Sequence, residues 1–247
     1  MQNQGWVGKL LRVNLTNRKI TVESSESLVR RFIGGRGVGQ WLLFNHLKSS
    51  VNPLSPDNMI VFGTGPLTGT MAPASRMSVD SKNVYTNGVL SSNVGGHIGP
   101  ELKYAGFDFL VLHGASEKPI YLFVTDGVAE FRGASHLWGE STWRTEDILR
   151  KDLGDPRIHV ASIGIAGENL AKPACIIVDK ARAAGRGGSG AVMGSKKLKA
   201  LVVRGTGSVS VAEPEKFMEE VDRVWKKIDQ NQSVHARRKY GTRASLP

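Results

Sequence analysis

Apolar and polar positions alternate from the start of the chain. Leu10-Leu11-Arg12-Val13-Asn14-Leu15 has the period of two that marks a half-buried strand, Thr16-Asn17-Arg18 turns, and Lys19-Ile20-Thr21-Val22 returns. The pattern predicts a hairpin, then a helix with Ser25 or Ser27 as N-cap that runs to about Ile33. Gly34-Gly35-Arg36-Gly37 breaks that helix as a structural corner, and residues 38–47 read as the next one. Met59-Ile60-Val61-Phe62 is a short apolar run and predicts a buried strand entering the glycine loop at residues 63–70. Further strands are expected at residues 76–80 and 109–112. A short helix at about residues 101–104 follows Gly95-Gly96-His97-Ile98-Gly99-Pro100.

The second half repeats this order. Residues 119–124 and 129–132 flank Asp126-Gly127, a strong hairpin signal. A helix is predicted over residues 142–153 with Gly154 as its stop. Strands follow at residues 159–163 and 174–178, then a Gly/Arg loop, a short helix near residues 191–198 and a strand at residues 200–203. Met59 to Gly65 answers His159 to Gly164, and Gly96 to Gly114 answers Gly187 to Gly205. The implied fold is α+β: mixed sheets with short helices, internally duplicated into two pseudo-equivalent halves. From Pro214 the texture changes. Phe217, Val221, Val224 and Ile228 recur at helical spacing in a polar background. The expected domains are residues 1–210 and the beginning of a helical second domain, incomplete, over residues 211–247.

With 247 residues, 40% of them hydrophobic, the chain can bury a substantial core. Its formal net charge of +11 favours anionic ligands or partners. The basic run Arg237-Arg238-Lys239 lacks interleaved aromatics, so nucleic-acid binding is not expected. No apolar stretch approaches the ~20 residues of a membrane helix, and no leader is apparent; the expected location is cytoplasmic. The one cysteine, Cys175, lies in an apolar run and reads as a buried core thiol, which rules out a multi-cysteine metal site here. The histidines show no metal spacing and read as structural, with His97 set apart by its place in a glycine turn. Glu168 and Asn169 follow the glycine loop at residues 164–167 and could cap a turn or orient the site, capping being the plainer reading, and no Ser-His-Asp pattern has a credible context.

Candidate chemistry gathers in the stretch Arg182-Ala183-Ala184-Gly185-Arg186-Gly187-Gly188-Ser189-Gly190. Glycines admit a ligand close to backbone N–H groups, a helix start adds positive potential, and arginine forks suit phosphate oxygens. Residues 76–96 read as its mate in the first half: each offers an arginine, then small residues, then a helix start. Facing one another, the two could grip a ligand with two phosphate-bearing ends; the plainer reading is tight corners with solvated arginines. Neither matches the dinucleotide fingerprint or the P-loop.

Residues 5–15, Gly63-Thr64-Gly65-Pro66-Leu67-Thr68-Gly69-Thr70, Gly99-Pro100-Glu101-Leu102-Lys103-Tyr104, Ala134-Ser135-His136-Leu137-Trp138-Gly139, Ala166-Gly167-Glu168-Asn169-Leu170 and residues 182–196 together resemble the N-terminal domain of the tungsten-containing aldehyde ferredoxin oxidoreductases. Tyr240-Gly241-Thr242 looks like the opening of that family's second domain. The resemblance implies a base that carries a tungsten (or molybdenum) bis-pterin cofactor whose phosphates are bridged by Mg²⁺. Arg76 and Arg182 would contact the pterin phosphates, Asn93 and Ala183 would offer backbone carbonyls to the magnesium, and Gly95 and Gly185 would allow close approach. It also implies oxidation of aldehydes to carboxylic acids with ferredoxin as acceptor, and leaves a homodimer open. The family's 4Fe–4S cluster needs four cysteines from later domains, and its catalytic residues are expected there too. The expectation is therefore a cofactor-binding part, inactive alone and completed by missing domains or a partner subunit; the alternative is a stand-alone pterin-binding or assembly subunit.

Overall fold

Alternation in the first hairpin is realised as β1 (Lys9–Asn14) and β2 (Lys19–Ser24), paired antiparallel. The computed structural model describes residues 4–245. After the hairpin come α1 (Glu26–Arg31), α2 (Gly35–His46), β3 (Ile60–Gly63), β4 (Met77–Lys82), β5 (Val89–Val94), α3 (Ile98–Tyr104) and β6 (Phe109–His113). They build a six-stranded sheet in the order β2-β1-β6-β3-β4-β5, parallel only between β1 and β6.

A second sheet follows the same plan. It is formed by β7 (Ile120–Thr125), β8 (Val128–Gly133), β9 (His159–Ser162), β10 (Ile176–Val178), β11 (Arg182–Ala184) and β12 (Leu198–Arg204), with α4 (Thr142–Leu153), α5 (Ile165–Glu168) and α6 (Ser189–Ser195) between them. Read from the hairpin edge its order is β8-β7-β12-β9-β10-β11, and its parallel pair is β7 with β12. Strand for strand this repeats the first sheet. The duplication is therefore real at the level of topology, pairing direction and edge position.

Both faces of the central strands are buried. Leu11, Val13, Phe62 and Leu110 from one sheet share a cluster with Leu122, Val124, Leu201 and Val203 from the other, joined by Leu102 of α3 and Val192 and Met193 of α6. The alternate residues Leu10, Val61, Phe109 and Val111 pack under α1 and α2 around Leu28, Val38 and Leu42. In the second half Tyr121, Val160, Ala200 and Val202 pack with Leu149 of α4. Burial at ~25 cal/mol per Å² of apolar surface makes these clusters the main driving force for the fold.

Local chemistry departs from expectation in several places. Ser25 occupies the N-cap position of α1, but its hydroxyl donates to Asp108 Oδ2 at 2.9 Å instead of capping the helix, and Ser27 lies inside α1. The glycines at 34–37 are not a corner: α2 begins at Gly35, and Gly35 packs against the Gly63 carbonyl, where a Cβ would stand 2.6 Å from the oxygen. Strands β5 and β11 are additional to the sequence expectation. Cys175 is half-buried, not a core thiol.

By compactness, residues 4–70 and 74–210 form one body, and residues 71–73 with 211–245 form another. The second body is helical, with α7 (Pro214–Asp229), α8 (Gln232–Tyr240) and a 3₁₀ turn (Gly241–Ser245). Pro214 opens α7 at a position where a missing N–H costs nothing. Among the described residues, no helix is long and apolar enough to cross a membrane.

Candidate functional site

The free edges of the two sheets are β5 and β11, and the predicted site residues lie on them. Ser78 of β4 pairs with Asn93 of β5, and Ile177 of β10 pairs with Ala183 of β11. Since β4 and β10 correspond, Asn93 and Ala183 are true equivalents in the two halves. The arginines are not. Arg76 directly precedes β4, whereas Arg182 opens β11 and so corresponds to Ser92. The expected equivalence of Arg76 and Arg182 is corrected by this register: the two arginines stand at different positions of the two sheets.

The two edges meet in a seam. The Arg186 amide donates to Ser92 Oγ at 3.4 Å, and the Val84 amide donates to the Gly187 carbonyl at 3.1 Å. A Cβ on Gly187 would stand 2.5 Å from the Leu90 side chain, so only glycine lets the seam close. Gly95 lies 4.0 Å from the Arg182 side chain by the same construction.

A cavity of about 410 Å³ opens on this seam. Of the predicted residues, Arg76, Asn93, Ala183 and Gly185 line it; Gly95 and Arg182 are not part of its wall, though they lie against one another. Arg36, Ser91, Ser92 and Arg186 complete the wall. Arg36 is absent from the sequence-derived set because its segment reads as a turn; its place in the first turn of a helix is the signal that finds it. Arg36 Nε donates to Ser91 Oγ at 3.0 Å.

Electrostatically the site is one-sided. Arg36, Arg76, Arg182 and Arg186 are all exposed, and none pairs with a carboxylate within 4 Å among the described residues. Guanidinium groups without a carboxylate partner give the seam a positive potential. The helix-start contribution expected from the sequence is not there. Residues 189–194 of α6 are buried and Ser189 Oγ donates to the Ala184 carbonyl, so this helix end faces protein.

One acid lies close by. Asp80, opposite Ser91 on β4, is fully buried and accepts from Ser78 Oγ at 2.7 Å, while its Oδ1 has no partner. Burial pushes its carboxyl up to about 6, against opposition from hydrogen bonds with Ser91 and Ser78 and from the Arg36 charge. Near neutral pH, about one unit above that value, it is mostly ionised, and so offsets part of the positive field.

Glu168 is structural, in line with its capping role. Its Oε2 accepts from the Gly139 amide at 2.8 Å and its Oε1 meets Lys199 Nζ at 2.5 Å, both side chains being buried. His97 and His159, far apart in the chain, converge on Asp179, a proximity that their spacing in the sequence does not announce.

A family model described as aldehyde ferredoxin oxidoreductase, N-terminal domain, matches residues 10–205. The chain belongs to this family. A tungsten-containing aldehyde ferredoxin oxidoreductase of Pyrococcus furiosus is 46% identical over 213 residues, 85% of this chain and 35% of that protein. The WOR-like subunit of an aliphatic sulfonate oxidoreductase from the same organism is 37% identical, covering 96% of this chain and 40% of its own length. Among solved structures, the active-site complex BamBC of benzoyl coenzyme A reductase, with 1,5-dienoyl-CoA, superposes with a TM-score of 0.89 at 38% identity, over 92% of this chain and 35% of that one. The chain therefore spans about a third of the length of these aldehyde ferredoxin oxidoreductase relatives. The matched region holds almost all of both sheets and the whole β5–β11 seam.

Proposed function

We propose that this N-terminal domain cradles a tungsten bis-pterin cofactor at the β5–β11 seam, as part of an oxidoreductase that converts aldehydes to carboxylic acids with ferredoxin as electron acceptor. The observation that carries the reading is the set of three arginines, Arg36, Arg76 and Arg186, in the wall of one cavity, none of them paired with a carboxylate among the described residues. The donor set fits the group. Forked guanidinium donors match phosphate oxygens, and Gly185 leaves a gap in which a Cβ would meet only the Ala183 Cβ, at 3.8 Å. Asn93 and Ala183, equivalent on the two edge strands, offer carbonyl oxygens of the hard type that Mg²⁺ takes alongside phosphates.

When bound, the cofactor would supply the metal that accepts the two electrons of aldehyde oxidation. The residues of this chain bind and orient. Arg76 and Arg182 neutralise phosphate charge, Arg36 and Arg186 extend the positive wall, and Ser91 holds Arg36 in place. Transfer of electrons to ferredoxin is assigned to cysteine-bearing residues outside these 247, because this sequence has a single cysteine.

The test is cofactor content. The chain purified from a tungstate-supplied host is expected to carry tungsten and oxidisable pterin, and Arg76→Ala with Arg182→Ala to lose both while keeping the cooperative melt of the cofactor-free wild type. Unchanged tungsten and pterin in the double variant would overturn the cradle. Aldehyde-dependent viologen reduction by the chain alone is expected to be absent. A second reading, a pterin-binding subunit that works with a separate iron–sulfur chain, is favoured by the 96% coverage in the WOR-like subunit match; co-purification of a cysteine-bearing partner supports it.

A further inference from the structure

His97, His159 and Asp179 come from three separate parts of the chain and converge where the two halves meet. His97 is the N-cap of α3 in the first half, His159 opens β9, and Asp179 sits in the β10–β11 turn. One ligating atom from each lies within 4.8 Å of the others. His159 Nδ1 is 3.0 Å from Asp179 Oδ1, and His97 Nδ1 is 3.8 Å from Asp179 Oδ2. Ligands of a tetrahedral ion with bonds of ~2.0–2.1 Å are separated by roughly 3.4 Å, and each imidazole stands near that distance from one oxygen of the carboxylate.

We infer that these three side chains form a binding site for a divalent transition metal of the zinc class, which joins the two halves beside the seam. Two imidazoles and one carboxylate are a borderline donor set that suits zinc and its neighbours and is poor for calcium or magnesium. The site is half preorganised. The side chains of His159 and Asp179 are 21% and 17% exposed, while His97 is 74% exposed and free to swing onto the ion.

The surroundings have the form that a metal-bound histidine needs. With Nδ1 on the ion, His159 Nε2 faces Glu101 Oε1 at 4.0 Å. Glu101 is itself held, its Oε2 accepting from the Gly205 amide at 2.8 Å with Arg204 at 3.6 Å. A carboxylate behind the non-ligating nitrogen fixes the tautomer and the ring. Asp179 is aimed by the His97 amide, which donates to Oδ2 at 2.9 Å. Its backbone is left-handed, φ 47°, as is that of Lys180 at 60°. Left-handed backbone is uncommon for residues with a side chain, so the turn that presents the carboxylate is held by its surroundings. With Nδ1 on the ion the neutral ring carries its proton on Nε2, toward Glu101, and three protein ligands leave a fourth position for water.

Co²⁺ titration of the tag-free, chelator-stripped chain, followed by Zn²⁺ calorimetry, tests the site without reference to tungsten or pterin. The expected result is one equivalent of Co²⁺ with the visible absorption of a tetrahedral ion, its displacement by Zn²⁺, and a raised melting temperature with Zn²⁺. His97→Ala, at an exposed position, is expected to keep the fold, weaken binding at least about tenfold and abolish the thermal shift; Asp179→Asn should do the same. His136→Ala, at a surface His–Asp pair, should bind like wild type. Absence of the tetrahedral spectrum, or binding in His97→Ala equal to wild type, would overturn the inference.

Discussion

A Cβ at Gly194 would stand 1.9 Å from the Gly167 carbonyl oxygen, whereas at Gly185 it would meet nothing closer than 3.8 Å. The two glycines read alike in the sequence and do different work. Gly194→Ala is expected to cost about 2–4 kcal/mol in urea unfolding, because α6 must move off α5. Gly185→Ala should change stability by less than ~0.5 kcal/mol and yet lower tungsten retention; a large loss of stability there would remove the distinction between seam and cavity. Asp80 makes a pH prediction. Its folded value, about 6, lies above its unfolded value near 3.9, so the folded state binds the extra proton between them. The linked stabilisation is present below about pH 4 and is lost as pH rises through 6, on the order of 2–3 kcal/mol. Stability curves of wild type and Asp80→Asn across that range should converge on the acid side and separate on the neutral side; parallel curves would show that Asp80 titrates normally.

Among the elements, α5 is four residues long and cannot hold itself together. Its last residue, Glu168, ties it to Lys199 of β12 and to the Gly139 amide. Removing one partner of a buried pair leaves the other charge uncompensated, so Glu168→Ala is expected to cost about 3–5 kcal/mol, read from the denaturation midpoint. Replacing both residues by apolar ones should recover much of that loss. The long periodic elements were legible in the sequence: α4 spans the predicted residues 142–153, with Gly154 in the left-handed conformation that stops it. Strands β5 and β11 were not. Each is an edge strand with one neighbour in its sheet, and each carries polar or small residues toward the cavity. The apolar period that announces a central strand is absent where the site is built.

For the whole body of residues 4–210, the two halves share one apolar cluster, in which Leu11 and Phe62 lie with Leu122 and Leu201. Neither half can bury its inner face alone. Residues 4–115 expressed separately are expected to show no cooperative thermal transition, while the full chain shows one for this body; an independently folding half would mean that the seam is a contact between finished units. The arginine wall depends on the same arrangement, since Arg36 and Arg76 come from one half and Arg186 from the other.

The order of strands, hairpins and glycine loops, the repeat of that order, and the small-and-basic character of the loops all follow from the sequence, because period, turn chemistry and composition are local. The family resemblance belongs there too, carried by contiguous motifs. Tertiary structure decided what those segments meet. It made Asn93 and Ala183 the equivalent pair rather than Arg76 and Arg182, since equivalence is set by strand register. It turned the end of α6 inward, drew Arg36 from an apparent corner to the cavity wall, and gathered His97, His159 and Asp179 on one point. Each of these is a contact across many residues of chain, made only when the apolar faces of both sheets close on a common core.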